Sequence, residues 1–141
     1  MTITAEEVVQ KVISLKRMSD LDAKLFSEED GYAAILANHF KKSGHELKAT
    51  QLRKVFHSLK HIDVVQKTEK PENPVDRTRI NQILPELAYA RGRGLVPVEF
   101  YDLMKACLSH QRTQTVSDFR RTVEFLTAIL AYHKLYSRRE E

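Results

Sequence analysis

The sequence predicts an all-α protein, a compact bundle of about five to six helices. With 4 Gly and 4 Pro among 141 residues, most of the chain is uninterrupted, which favours long helices over strands and tight turns. Apolar residues recur at spacings of three and four in successive segments. A hydrophobic fraction of 42% and a charged fraction of 30% are typical of globular proteins. We expect one helical domain over residues 1–141, with acidic helices in residues 1–46 and a basic core in residues 47–141.

The first two helices lie in the acidic part, where residues 1–47 carry 6 Lys and Arg against 8 Asp and Glu. A capping box formed by Thr4 and Glu7 predicts the start of the first helix. Its apolar positions are Val8, Val12 and Leu15. A second helix is predicted from Ser27 to Gly44, because Ser favours a helix N-terminus and Gly a C-terminus. Its apolar stripe comprises Tyr32, Ile35, Leu36, His39 and Phe40.

The third helix follows Thr50, in the segment TQLRKVFHSLKHI. Its apolar face comprises Leu52, Val55, Phe56, Leu59 and Ile62. A polar segment that contains Pro71 and Pro74 comes next and predicts a long linker near residues 64–75. Connections between the helices of a bundle are usually shorter. The linker would therefore allow two copies of the chain to exchange helices.

Three more helices are predicted after the linker. The fourth begins near Val75 or Asp76, and Pro85 inside it predicts a kink or a break. The fifth begins near Pro97, which suits the first helical position. Its apolar stripe comprises Phe100, Leu103, Met104 and Cys107. The sixth covers about residues 117–137, and its wide apolar surface predicts burial on more than one side, in part by a partner.

Composition and motifs argue against several function classes. No apolar run approaches the roughly 18 residues of a membrane span, and no secretory signal is recognisable. A single cysteine, Cys107, allows no internal disulfide, so we expect a cytoplasmic protein without membrane partners. Glycine-rich phosphate loops, G-x-S-x-G and H-E-x-x-H are absent, so we expect neither catalysis nor a cofactor. His57 and His61 have a metal-binding spacing but lie on a basic face, so no metal is expected there, and His39 and His133 are predicted to be core histidines.

Positive charge is concentrated in the middle of the chain, where residues 48–113 carry 12 Lys and Arg against 7 Asp and Glu. On the third helix no acid interrupts the polar face between Thr50 and Ile62. The basic residues of this face are Arg53, Lys54, His57, Lys60 and His61. Such a face forgoes the i, i+4 ion pairs of an ordinary surface helix. It predicts a surface that follows phosphates, with an ordinary solvated polar face as the alternative.

A second basic element surrounds the predicted fourth helix. Arg91 and Arg93 stand between glycines in LPELAYARGRGLVP, where helix capping and the negative end of the helix dipole account for both. Arg77 and Arg79 begin the same helix, where the dipole disfavours cations. Their placement therefore predicts an anionic ligand or a partner.

Three segments, in order, resemble motifs of one known family. LKATQLRKVFHSLKHI resembles the L-[TS]-x-[ST]-Q-[IL]-R-K helix of the small α-helical subunit of type III-A CRISPR effector (Csm) complexes. LPELAYARGRGLVP resembles that family's L-x-P-x-L-A-Y-x-x-G-R element, and FRRTVEFLTAILAYHKLY resembles its C-terminal helix. The resemblance covers about residues 47–136, whereas the acidic first third matches none of these motifs.

The resemblance implies an all-helical, non-catalytic subunit. Copies would stack along the complex and contact the backbone of crRNA and target RNA without reading bases, as suits a subunit that accepts any guide. The family's motif residues fall on Arg53 with Lys54, on Gly92 with Arg93, and on Lys134. The expected RNA-binding residues are Arg53, Lys54, His57, Lys60, Arg77, Arg79, Arg91, Arg93 and Lys134. The expected partners are crRNA, target RNA, other Csm-complex subunits and further copies of the chain, through stacking or a domain-swapped dimer.

Other function classes stay open at this point. A helical scaffold or adaptor would use the same basic face to dock acidic proteins, with no direct RNA contact. A helix-turn-helix DNA-binding protein is disfavoured, because KKSGHELKAT is too long for the turn of that motif. A ribonuclease that assembles His and Lys from distant positions is the least favoured alternative.

Overall fold

The computed structural model describes residues 3–42 and 44–140, with side chains described up to Ser137. These residues form six α-helices and no strand, which confirms the predicted all-α class. The helices are α1 (Ala5–Ile13), α2 (Tyr32–His39), α3 (Ala49–Val65), α4 (Arg77–Gly92), α5 (Val98–Cys107) and α6 (Val116–Glu140). Two 3-10 helices, Met18–Asp20 and Ala23–Leu25, lie between α1 and α2.

The longest helix, α6, lies at the centre of the bundle. It packs against α2, α3 and the first 3-10 helix. Phe119 and Phe125, which lie about 120° apart around the axis of α6, are both buried. The predicted burial on more than one side is therefore confirmed, and helices of the same chain provide it.

The remaining helices complete one core around α6. Helix α1 packs on α2 and α5, and α4 packs on α3 and α5. One hydrophobic cluster contains buried residues from all six helices. The acidic N-terminal helices therefore share their core with the basic helices that follow.

The starts of the first two helices are set by a side-chain cap in one case and by a backbone contact in the other. The capping box of Thr4 and Glu7 is present at the start of α1, as predicted. The predicted start of α2 at Ser27 is wrong, because the chain is in turns until Gly31, whose N–H donates to the Glu28 carbonyl at 2.9 Å. A Cβ at Gly31 would lie 2.7 Å from the Leu25 carbonyl oxygen. A close backbone approach, rather than Ser27, therefore sets the start of α2.

The linker between α3 and α4 covers residues 66–76, close to the predicted 64–75. It is also fixed to the start of α6. The N–H of Val75 donates to the Gln114 carbonyl at 3.0 Å, and the N–H of Val116 donates to the Asn73 carbonyl at 2.9 Å. These bonds hold the linker against the start of α6, and α4, which follows the linker, packs on α3.

Helix α4 begins after the Asp76 cap, as predicted, and runs through Pro85. The alternative of a break at Pro85 is therefore wrong, whereas a kink there stays a prediction. Ile83 and Leu87, on either side of the proline, are buried. Their packing holds the helix continuous despite the hydrogen bond that proline cannot donate.

None of the described helices combines the length and the apolar character that crossing a membrane requires.

Candidate nucleic-acid interface

The basic residues of α3 form an exposed ridge. Leu52, Leu59 and Ile62 are buried, and at ~100° per residue the opposite side of the helix faces solvent. The exposed basic residues on that side are Arg53, Lys54, His57, Lys60 and His61. The sequence thus correctly placed this face at the surface, and we call these five residues the α3 ridge.

The charges on the α3 ridge are not equally available. The Nζ atom of Lys60 lies 3.7 Å from Oδ2 of Asp63, and Nε of Arg120 in α6 lies 3.8 Å from Oδ1 of the same carboxylate. Within the described residues, no hydrogen bond or ion pair involves the side chain of Arg53 or Lys54. The ridge is therefore neutralised in part near α6 and carries unpaired charge at its N-terminal half.

A groove separates the α3 ridge from α4. Lys54 and Ser58 line it from α3, whereas Tyr89 and Arg93 line it from the C-terminal half of α4. Its volume is about 590 Å³. Lys54 and Arg93 belong to the two basic segments that the sequence singled out, and the fold brings them to one surface. We call it the Lys54–Arg93 groove.

An exposed aromatic ring lies in the same groove. The guanidinium carbon of Arg93 lies 5.8 Å from the centre of the Tyr89 ring, a cation–π distance, and Tyr89 is 67% exposed. Sequence reasoning missed Tyr89 as a candidate. Helical periodicity could have identified it, because Tyr89 lies outside the apolar stripe of Ile80, Ile83 and Leu87 and is therefore expected at the surface.

A second groove continues between the same helices. Its lining includes His57 and His61 from α3 and Arg79 from α4, and Glu86 lines both grooves. Nε of Arg79 lies 3.4 Å from Oδ2 of Asp76. Arg79 is therefore paired in part, and Glu86 lowers the local positive potential where the two grooves meet.

Arg77 has an intramolecular role. Its Nη1 donates to the carbonyls of Leu108 at 2.9 Å and Thr113 at 3.3 Å, and its Nη2 donates to Oδ1 of Asn81 at 3.2 Å. Burial lowers the pKa of the Arg77 guanidinium. These contacts tie the start of α4 to the loop between α5 and α6, which explains an arginine where the helix dipole disfavours one. A ligand is not needed to account for its placement.

Besides Arg77, two predicted RNA-binding residues lie outside both grooves and the α3 ridge. Arg91 lines a separate depression with Lys48 and His45, beside the start of α5. Lys134 is exposed on α6. The fold therefore brings Arg93 to the α3 ridge but not Arg91 or Lys134.

Of the residues that were predicted to lie in the core, His133 and Cys107 are buried, whereas His39 is only partly buried. His133 is buried, and its Nε2 lies 2.8 Å from the Leu47 carbonyl oxygen, as expected of a core histidine. Cys107 is buried, and desolvation raises the pKa of its thiol to about 12, so it stays protonated as a core residue. His39 is not fully in the core, because Nε2 of its half-buried ring lies 3.3 Å from Oε1 of Glu99. Burial raises the pKa of Glu99, but hydrogen bonds from its own backbone N–H and from His39 and His45 outweigh this effect and lower it.

Comparison with known proteins identifies the family. The family model described as Csm2 Type III-A matches residues 23–139. The match starts well before residue 47, so it also covers much of the acidic part that the sequence motifs left unassigned. Searches of curated proteins and of solved structures found no match. The chain belongs to the Csm2 family of type III-A CRISPR systems and is a structural subunit of the Csm effector complex.

Proposed function

We propose that this Csm2-family subunit binds the sugar-phosphate backbone of crRNA or target RNA in the Lys54–Arg93 groove and along the α3 ridge. The observation that carries the proposal is the convergence of Lys54 and Arg93 from separate helices on one surface. The subunit acts without catalysis, as a structural element that assembles with other Csm subunits.

The chemistry of the groove suits an RNA strand of any sequence. Lys54 offers a mobile ammonium group, and Arg93 offers a planar guanidinium that pairs with phosphate oxygens in a bidentate manner. The exposed Tyr89 ring offers a stacking surface, which contributes about 1–3 kcal/mol per base without selecting the base. Phosphate contact and stacking are both independent of sequence, as an RNA-guided complex requires.

The role of each of the other basic residues follows from its position relative to this groove. Arg53, His57, Lys60 and Arg79 flank it, and of these Arg53 carries an unpaired charge, whereas Lys60 and Arg79 are paired with carboxylates. Arg91 and Lys134 face other surfaces, and we propose that they contact RNA or protein outside the groove. Arg77 is left out, because its guanidinium is bound to carbonyls of its own chain.

Charge reversal of the groove tests the proposal. The K54E/R93E variant should bind unrelated single-stranded RNAs at least tenfold more weakly than the parent, by fluorescence anisotropy at low salt. Each phosphate contact on a single strand contributes about −0.7 to the slope of log affinity against log salt. Loss of two contacts should therefore make the slope less steep by about 1.4.

A matched variant controls for net charge. K16E/K24E reverses two exposed lysines between α1 and α2, and both double variants change the formal net charge from +4 to zero. The control should keep most of the affinity of the parent. Equal loss of binding in the two variants, or strong preference for one RNA sequence, would contradict a backbone-binding groove.

Crosslinking inside a reconstituted Csm complex separates RNA binding from the scaffold alternative. A photo-crosslinking residue at position 54 or 89 should give adducts with RNA. Adducts with protein alone would favour a scaffold that docks acidic partners.

Self-association through stacking or a helix exchange stays a prediction. A helix exchange would need a hinge within residues 66–72, because residues 73–75 of the linker are hydrogen-bonded to Gln114 and Val116. Light scattering after gel filtration measures the outcome, and a mass of 16.3 kDa, that of one chain, would contradict a stable exchanged dimer.

A further inference from the structure

A cluster of two imidazoles and one carboxylate lies on another side of the molecule, where α2 ends and α5 begins. Nε2 of His39 lies 3.3 Å from Oε1 of Glu99, and Nδ1 of His45 contacts the same oxygen. One donor atom from each of the three residues lies within 4.8 Å of the other two. The two imidazole rings are 4.3 Å apart, centre to centre. Three residues from separate segments thus direct nitrogen and oxygen atoms to one point.

The backbone holds this arrangement in place. His39 is the last residue of α2, and the loop after it is closed by a 2.8 Å hydrogen bond from the N–H of Leu47 to the Phe40 carbonyl. Phe40 and Leu47 are both buried. Glu99 lies in the first turn of α5. Two of the three ligands, His39 and Glu99, therefore lie on packed helices, and His45 lies in the loop that this hydrogen bond closes.

The donor set and its spacing suit a transition metal ion. Two imidazole nitrogens and one carboxylate oxygen form a three-ligand zinc set that leaves a fourth position for water. Metal–ligand bonds of about 2.0–2.2 Å in a tetrahedron place neighbouring ligands about 3.3–3.5 Å apart. The 3.3 Å separation of His39 Nε2 from Glu99 Oε1 already fits this geometry. The contact of His45 with Glu99 has to lengthen, and the His45 side chain, which is 42% exposed, can move to allow it.

The surroundings favour a cation on balance. The C-terminal end of a helix dipole, here α2 at His39, attracts positive charge. Asp102 and Glu6 line a cavity of about 190 Å³ together with His39 and Glu99, and their carboxylates add negative potential on that side. On the outer side, Lys48 and Arg91 oppose a cation, and Glu46 offsets one of them. These charges should lower the affinity below that of a buried structural zinc site.

We propose that His39, His45 and Glu99 bind one divalent transition metal ion, preferentially Zn²⁺, and that the ion joins the loop between α2 and α3 to α5. This inference is independent of the RNA groove, which lies between α3 and α4. Without a metal ion, both imidazole rings contact the same carboxylate oxygen of Glu99. With a metal ion bound, both imidazoles would be neutral and would coordinate the ion. Binding would stabilise the folded chain, because the unfolded chain does not hold the three ligands together.

Metal titration of the full chain tests the site. Protein freed of metal by chelator and dialysis should bind about one Zn²⁺ per chain in calorimetry, with an increase in Tm of several degrees. Co²⁺ should produce the visible absorption bands of a tetrahedral site. H45Q changes an exposed loop residue and should keep the helical circular dichroism of the parent while it lowers Zn²⁺ affinity at least tenfold.

The second histidine pair of the chain provides the control. H57Q/H61Q removes two exposed histidines at i, i+4 on α3 and should leave Zn²⁺ affinity and the cobalt spectrum unchanged. The absence of saturable binding to the parent chain would overturn the proposal. So would a loss of binding in H57Q/H61Q with full binding in H45Q, because the ion would then occupy α3.

Discussion

At the scale of single residues, the most constrained charge of the described chain is a carboxylate at the start of α6. The side chain of Asp118 is fully buried. It accepts hydrogen bonds from Nε and Nη2 of Arg17 at 2.8 and 2.6 Å, and from the N–H groups of Ser19 and Gln114 at 3.1 and 3.0 Å. Burial raises the pKa of Asp118, but these hydrogen bonds outweigh burial and lower it from 3.8 to about 2. Asp118 therefore joins the N-terminal segment to the central helix.

This carboxylate should make stability depend on acid pH. Because the folded-state pKa of Asp118 lies below the unfolded value, its contribution is fully present above pH ~4 and is lost as the pH falls through ~2. A shift of nearly two pKa units corresponds to about 2 kcal/mol. D118N, which mimics the protonated carboxyl, should lower the free energy of unfolding by about 2 kcal/mol at pH 7, as measured by urea denaturation. The difference from the parent should shrink toward zero near pH 2.

An exposed carboxylate of the same helix is the control for this prediction. The Glu124 side chain is 55% exposed and pairs with Arg121 at 3.1 Å, and such surface pairs contribute less than about 1 kcal/mol. E124Q should therefore change stability little at any pH. Parallel pH profiles for the parent and D118N would show that Asp118 is not the titrating group.

At the scale of the element, the end of α4 shows how two glycines in one motif differ. Gly92 is the last helical residue, whereas Gly94 has a φ of 75° and follows the Arg93 cap. The N–H of Leu95 donates to the Ala90 carbonyl at 2.9 Å and that of Gly94 to the Arg91 carbonyl at 3.0 Å, the paired hydrogen bonds of a Schellman motif. Only Gly94 needs the left-handed conformation that glycine adopts without strain.

Alanine at these two positions should have opposite effects. A Cβ at either glycine meets no atom within 4 Å, so only backbone preference differs. G92A should raise the free energy of unfolding by about 0.5–1 kcal/mol, since alanine favours the helix. G94A should lower it by about 1 kcal/mol, because alanine is strained at positive φ. Urea midpoints of the two variants measure the contrast, and a shift of the same sign in both would contradict this account of the helix end.

The starts of the helices also show which capping signals in the sequence are reliable. The Thr4 capping box and the Asp76 cap start α1 and α4 as predicted, because a cap acts on the N–H groups of its own first turn. Ser27 is an equally good cap by composition but starts no helix. The start of α2 depends on the close approach of Gly31 to the Leu25 carbonyl. Helix propensities describe single residues and do not predict such a contact.

At the scale of the whole molecule, the candidate interface is a product of packing. The fixed linker returns α4 against α3, and the groove between them collects Lys54, Tyr89 and Arg93. The same packing turns Arg91 to another surface, although it is only two residues from Arg93. The His39, His45 and Glu99 cluster is also a tertiary product, because its members come from α2, the following loop and α5.

The sequence by itself determined the all-α class, the exposed basic face of α3, the family and the burial of α6, because each of these depends on periodicity or on a contiguous motif. Only the tertiary structure decided that Arg93 faces Lys54, that Arg77 is bound to its own backbone, and that His39 meets His45 and Glu99. The physical reason is that helical periodicity specifies which side of a helix is apolar but not which neighbour covers it. Side chains on the polar side acquire partners only when linker hydrogen bonds and core packing set the arrangement of the helices.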